Sequence, residues 1–215
     1  MRMILLLILL NIHGVALSTT VLPAGLQKLY DHATYIAHVR VLQHKNEKDN
    51  NGIYVTRTQF DVIYNIKGNL GREYQLTQFG INGIDDNGIH RDDQIVSFEE
   101  GKRYVIFLPE PSELGFSSPL ALTQGRFNVI ENGTTETVAN GREISELIMD
   151  VPTSLTAEID FSTTPPEGSQ IQPGEEGQTQ PEETETQTQT PPEGSQMPLG
   201  KFISLLIRME RSSDQ

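Results

Sequence analysis

Apolar positions along the chain change period several times, and each change marks an element. Leu22, Leu26, Leu29, Tyr30 and Ala33 recur at helical spacing just after Pro23 and predict one short helix. From residue 34 the period becomes two. Tyr35, Ala37, Val39 and Val41 fall on one side of a strand, opposite His38 and Arg40. In 53–66, Phe60, Val62, Tyr64 and Ile66 alternate with Gln59, Asp61 and Asn65, so a second strand is expected there. The polar run HKNEKDNNG between them reads as the hairpin connection. Lys67-Gly68-Asn69 closes the second strand, and Tyr74 and Leu76 mark a third. The nearly continuous apolar run RYVIFL at 103–108 predicts a central strand buried on both faces. Phe127 and Val129 indicate a fifth strand, which Asn132-Gly133 turns towards 134–139. Five or six mostly antiparallel strands with a leading helix predict a mainly β domain, a small closed or partly open barrel.

Two other regions have a different character. Residues 1–18 place Arg2 before the apolar run Ile4–Leu10, with Ala16 and Ser18 at the −3 and −1 positions before Thr19. That is the order of a secretory signal peptide, and Asn11 and His13 interrupt it too early for a bilayer span. A retained N-terminal anchor is the alternative. The expected location is extracytoplasmic, periplasmic or secreted, with no transmembrane span once the signal is removed.

Residues 164–197 hold Glu167, Glu175, Glu176, Glu182, Glu183, Glu185 and Glu193 and neither Lys nor Arg. They also repeat the heptapeptide TPPEGSQ. Such a segment buries too little apolar surface to offset its ordering entropy, so a disordered acidic linker is expected. After it, Leu199, Phe202, Ile203, Leu206 and Met209 return to helical spacing behind Pro198, predicting a C-terminal amphipathic helix over 198–215. The linker can span roughly 30–35 Å as a coil, which lets the helix dock on the 19–163 domain. A partner protein or a membrane surface are the other destinations.

Composition narrows the function. The chain has 215 residues, 29 acidic against 16 basic side chains, and neither Cys nor Trp. Without Cys there is no disulfide scaffold, thiolate zinc site or thiol nucleophile. The net charge of −13 argues against nucleic acid as a partner. About half of that charge sits in the linker, so it says little about a cationic partner.

The candidate chemistry is sparse. Asp85, Asp86, Asp92 and Asp93, with Asn87, offer the hard oxygens calcium prefers, and they are the weak metal candidates of the sequence. Their spacing lacks the EF-hand frame, and Asn82-Gly83 and Asn87-Gly88 explain loop 80–93 equally as two tight turns. His32, His38, His44 and His90 form no H-x-x-x-H or H-E-x-x-H motif, and no G-x-S-x-G or phosphate loop occurs. Glu99-Glu100-Gly101-Lys102 reads as a turn and Arg126 as an ordinary strand entry, with a recognition role as its alternative. Asn132-Gly133-Thr134 matches a glycosylation acceptor for a eukaryotic secretory route. No catalytic residue and no cofactor are identified.

The stretches YIAHVRVLQ, Asn65-Ile66-Lys67-Gly68, QFGINGIDDNG, FEEGKRYVIFL, LTQGRFNV and GKFISLLI, in that order, carry a resemblance. The chain resembles the netrin-like and tissue-inhibitor-of-metalloproteinases class of OB-type barrels, and more closely exported bacterial proteins with that barrel. The resemblance covers most of 24–135 plus 198–207. It implies an OB/netrin-like barrel and a protein partner, with a secreted metalloprotease as one candidate. The inhibitors chelate zinc through a disulfide-clamped N-terminal Cys, which this chain lacks, so that mechanism does not transfer. The function expected is a non-enzymatic binding module engaging a protein or extracellular ligand. The alternatives are a metalloprotease-associated inhibitor or chaperone and an envelope structural protein attached through the C-terminal helix. An unrecognised hydrolase is a further rival, which would need a pocket of converging titratable groups.

Overall fold

The computed structural model describes residues 22–81, 95–157, 159 and 194–213. Helix α1 (Leu26–His32) precedes strands β1 (Tyr35–Lys48), β2 (Tyr54–Lys67), β3 (Glu73–Phe79) and β4 (Arg103–Leu108). A 3-10 turn (Leu122–Gly125) enters β5 (Arg126–Asn132), which hairpins into β6 (Thr135–Ala139). Two single-turn helices follow, α2 (Ile144–Leu147) and α3 (Thr153–Thr156). Strand β7 (Met197–Pro198) then runs straight into α4 (Leu199–Ser213).

The strands form one antiparallel sheet in the order β3-β2-β1-β4-β5-β6-β7. Its edges, β3 and β7, do not meet, so of the closed or partly open barrel expected the closed form is corrected: the sheet is open. Segment 96–98 is tied to both β3 and β5. Gln78 of β3 accepts a hydrogen bond from the Val96 N–H (3.1 Å) and donates one to the Val96 carbonyl (2.9 Å). Arg126 of β5 donates to the Ser97 carbonyl.

The β1–β2 hairpin is longer than its polar composition suggests. Lys48 pairs with Tyr54, and only 49–53 turn the chain, so most of HKNEKDNNG is strand. Cross-strand contacts explain this: Glu47 takes both Lys45 and Arg57, and Lys48 lies over the Tyr54 ring at 4.4 Å. At the tip the Asp49 carboxylate accepts the N–H groups of Asn51 and Ile53, each at 2.8 Å, which shapes the turn.

Register shifts between Ile36 and Ala37 and between His38 and Val39 also break the alternation expected along β2. Phe60 and Val62 face one core, Ile66 faces the other, and Tyr64 is exposed. At the end of β2, Gly68 has φ +64°, and a Cβ there would lie 2.6 Å from the Thr34 carbonyl oxygen. Only glycine fits that exit.

Two hydrophobic cores flank the sheet. One gathers α1, α4 and the side of the sheet carrying Ile36, Val105, Phe107 and Phe127. The other holds Ala37, Val39, Val41, Phe60, Val62 and Leu76 beneath Val96 and Phe98. Strand β4 serves both, with Val105 and Phe107 on one side and Tyr104, Ile106 and Leu108 on the other. That is the two-sided burial its apolar run predicts.

Helix α4 docks on this body. It buries Leu199, Phe202, Leu205, Leu206 and Met209, and the Phe202 ring stacks 4.8 Å from Phe127. Tyr30 of α1 bonds Glu210, and Lys67 donates to the Tyr30 carbonyl at 2.9 Å. The linker boundary moves as well. Met197, expected at its end, is fully buried and pairs with Val138, while Gly194 accepts the Ile144 N–H at 3.0 Å. Among the described residues no helix is long and apolar enough to cross a membrane.

Candidate functional site

The free edge of the sheet can be located group by group. The Val62 N–H donates to the Arg72 carbonyl and the Gly80 N–H to the Tyr54 carbonyl, both at 2.8 Å. These bonds bracket β3 and show that its even-numbered residues direct their backbone groups at β2. By alternation, Glu73, Gln75, Thr77 and Phe79 direct theirs outward. Loop 109–121 uses one of these, the Thr77 carbonyl, which accepts the Ser117 N–H at 3.0 Å. Strand β3 reads EYQLTQF and carries neither Pro nor Lys, the residues that usually guard an edge.

A cleft of about 370 Å3 opens at the C-terminal end of this edge. Phe79, Ile95, Phe116 and Leu122 give it apolar walls, and Gln78, Ser117 and Ser118 supply polar atoms. The loop wall is shaped by Ser112, whose backbone N–H donates to the Phe116 carbonyl (2.8 Å) while its hydroxyl accepts the Phe116 N–H (3.1 Å). Phe116 then meets Phe79 edge to face, centroids 5.8 Å apart. Phe79 nonetheless remains 64% exposed, and Leu114 at the loop tip 78%. The floor is rigid, because Gln78 is pinned by Val96 and by the Ser118 hydroxyl (3.1 Å). The Ser117 hydroxyl is enclosed without a hydrogen-bond partner. Such a cleft accommodates an apolar side chain, beside a row of backbone donors and acceptors.

A second hollow of about 250 Å3 lies on the hairpin, lined by Gln43, Lys45, Glu47, Arg57, Gln59 and Gln75. Its two cations are engaged by Glu47.

Among the described residues, those singled out from the sequence are not brought together. Asp85, Asp86, Asn87, Asp92, Asp93 and His90 lie outside the described residues. His32 is exposed on α1, its Nδ1 2.9 Å from the Lys28 carbonyl oxygen. His44 sits on the hairpin with Nδ1 3.1 Å from the Thr58 hydroxyl, and burial lowers its pKa. His38 is buried in the middle of the sheet, and its Nε2 has no partner. Burial lowers the His38 pKa first, and Arg103 and Arg40 lower it further against the opposing Glu136. Arg103 itself bonds Glu131 (2.5 Å) and Glu136 (2.6 Å). Among the described residues no group of three His, Asp or Glu side chains is placed to hold a metal ion.

Arg126 proves to be more than a strand entry: it lies over Phe98 and Tyr104 and ties Ser97 to β5. Asn132, Gly133 and Thr134 are exposed at the β5–β6 turn. Sequence reasoning missed Phe79 and Phe116. One legible sign was Phe79 itself, an aromatic on the side of β3 that otherwise carries Glu73, Gln75 and Thr77.

No protein-family model matches the chain, and no curated protein matches it.

Proposed function

We propose that the protein is an exported, non-enzymatic binding module of OB/netrin-like architecture that engages a protein partner along β3 and its adjoining cleft. The observation that carries this reading is the half-open apolar cleft, with Phe79 held outward against Phe116 at the end of an edge strand. Large exposed aromatics beside free backbone groups are what contact recognition uses. The architecture draws support from the neighbour order β3-β2-β1-β4-β5, which would close into a five-stranded barrel if β3 met β5. Attachment to an envelope through the C-terminal helix gains nothing from the geometry, since the apolar face of α4 is buried in the body. The metalloprotease-associated reading rests on the resemblance alone and acquires no residue here.

The test is photocrosslinking from position 79 in the full chain, with position 149 as an exposed control far along the sequence. A partner captured from 79 and not from 149, in the extracytoplasmic fraction, is the expected result. Equal capture from both positions, or turnover in a broad substrate screen, would remove the proposal.

A further inference from the structure

The geometry points to β-strand addition as the way a partner binds: an extended segment bearing basic and aliphatic residues pairs with β3 over Glu73–Thr77 and seats one apolar side chain in the cleft. This rests on the reading of the edge as a binding surface and specifies how that surface is used. Three observations carry it. First, the outward groups of Glu73 and Gln75, together with the Thr77 N–H, face no strand among the described residues, while the Thr77 carbonyl is already taken by Ser117. The available backbone is thus a short ladder of alternating donors and acceptors, the template that strand addition needs.

Second, the cleft lies at one end of that ladder, next to Phe79, so register and side-chain selection are coupled. Third, the surroundings are acidic. Glu73 opens the strand, and Glu110 lies close enough to Tyr35 and Tyr74 that, after burial, its charge helps raise both hydroxyl pKa values. Glu113 stands exposed on the loop that walls the cleft. Basic residues on alternate positions of the incoming strand would meet Glu73; Arg72 opposes them, while Arg57, opposite Thr77, is already engaged by Glu47.

The experiment uses the full chain and a short peptide alternating lysine and valine. Binding is followed by fluorescence anisotropy and by amide hydrogen exchange resolved to single residues. Slowed exchange at the Gln75 and Thr77 amides is expected when the peptide is added. Gln75→Pro removes an outward N–H without touching the bonds to β2, so it should weaken the peptide at least about tenfold with little change in Tm. A peptide of the same charge, N-methylated at alternate amides, should fail to bind the unaltered protein.

Equal binding of the methylated peptide, or undiminished binding by Gln75→Pro, overturns strand addition. If Phe79→Ala alone weakens binding, the cleft survives as a surface and the pairing does not. If neither variant matters, the surface itself is wrong. Protection of the same amides that grows with protein concentration in the absence of peptide would assign the edge to a second copy of the chain and overturn the partner segment.

Discussion

The two edges of the sheet are treated in opposite ways. At one, β7 is two residues long, ends in Pro198 and passes directly into α4, whose apolar face closes over the core. At the other, β3 runs for seven residues with no Pro and no Lys, and among the described residues a single backbone bond from Ser117 covers part of it. An unguarded edge invites pairing with other chains, and natural proteins usually blunt it. Here the chain uses its own residues 194–213 to seal one edge and leaves the other open beside a cleft. The contrast identifies the side of the molecule whose outward backbone groups face no strand among the described residues.

The sealed edge should be the costly one to disturb. Phe202 is fully buried against Phe127 and Phe107, so Phe202→Ala should destabilise the protein by about 3–5 kcal/mol in denaturant titration. A loss below about 1 kcal/mol would mean that α4 does not seal the sheet.

Arg126→Met comes next, at about 1–2 kcal/mol, because it releases the Ser97 carbonyl and the rings of Phe98 and Tyr104. Faster amide exchange at 96–98 should accompany the loss; unchanged exchange would show that Gln78 alone holds the segment.

On the α1 side, the Asp150 carboxylate accepts the N–H groups of Gln27 (3.1 Å) and Lys28 (3.0 Å), acting as a helix cap supplied from a distant part of the chain. Asp150→Ala should cost about 1 kcal/mol, read as a lower Tm.

Acid should act through His38. Its folded-state pKa lies below the ordinary 6.5, chiefly because it is buried, so just below that pH the unfolded chain binds more protons than the folded one. Stability therefore falls as pH drops below about 6.5 and levels off once the folded-state value is passed. His38→Gln should flatten that slope; an identical slope would assign it to other groups.

The smallest stability effect belongs to the open edge: Gln75→Pro should shift stability by less than about 0.5 kcal/mol, as expected for an edge position whose N–H is not in the ladder. A large loss would show that the outward assignment of Gln75 is wrong.

Elements whose burial pattern is local were readable in advance. The helical spacing of Leu26, Leu29 and Tyr30 gives α1, and the run at 103–108 gives a strand buried on both sides. The Asn132-Gly133 turn and the apolar stripe of α4 are equally plain. The long hairpin was not readable, because Lys45, Glu47 and Lys48 look like a loop until they are paired with Arg57, Val55 and Tyr54 across strands. Nor was the reversal along β2, which depends on bulges in its pairing with β1. The cleft was hidden for a related reason: Phe79 and Phe116 are 37 positions apart, and only the packing of loop 109–121 against β3 joins them.

Periodicity and composition alone determined that the chain is mainly β, that a helix opens and closes the described body, and that no cysteine chemistry operates. Tertiary structure decided that the sheet stays open, which edge is sealed and where the cleft forms. Periodicity reports which face of an element avoids water. Closure, edge order and clefts arise from contacts between residues far apart in sequence, and no local pattern encodes those.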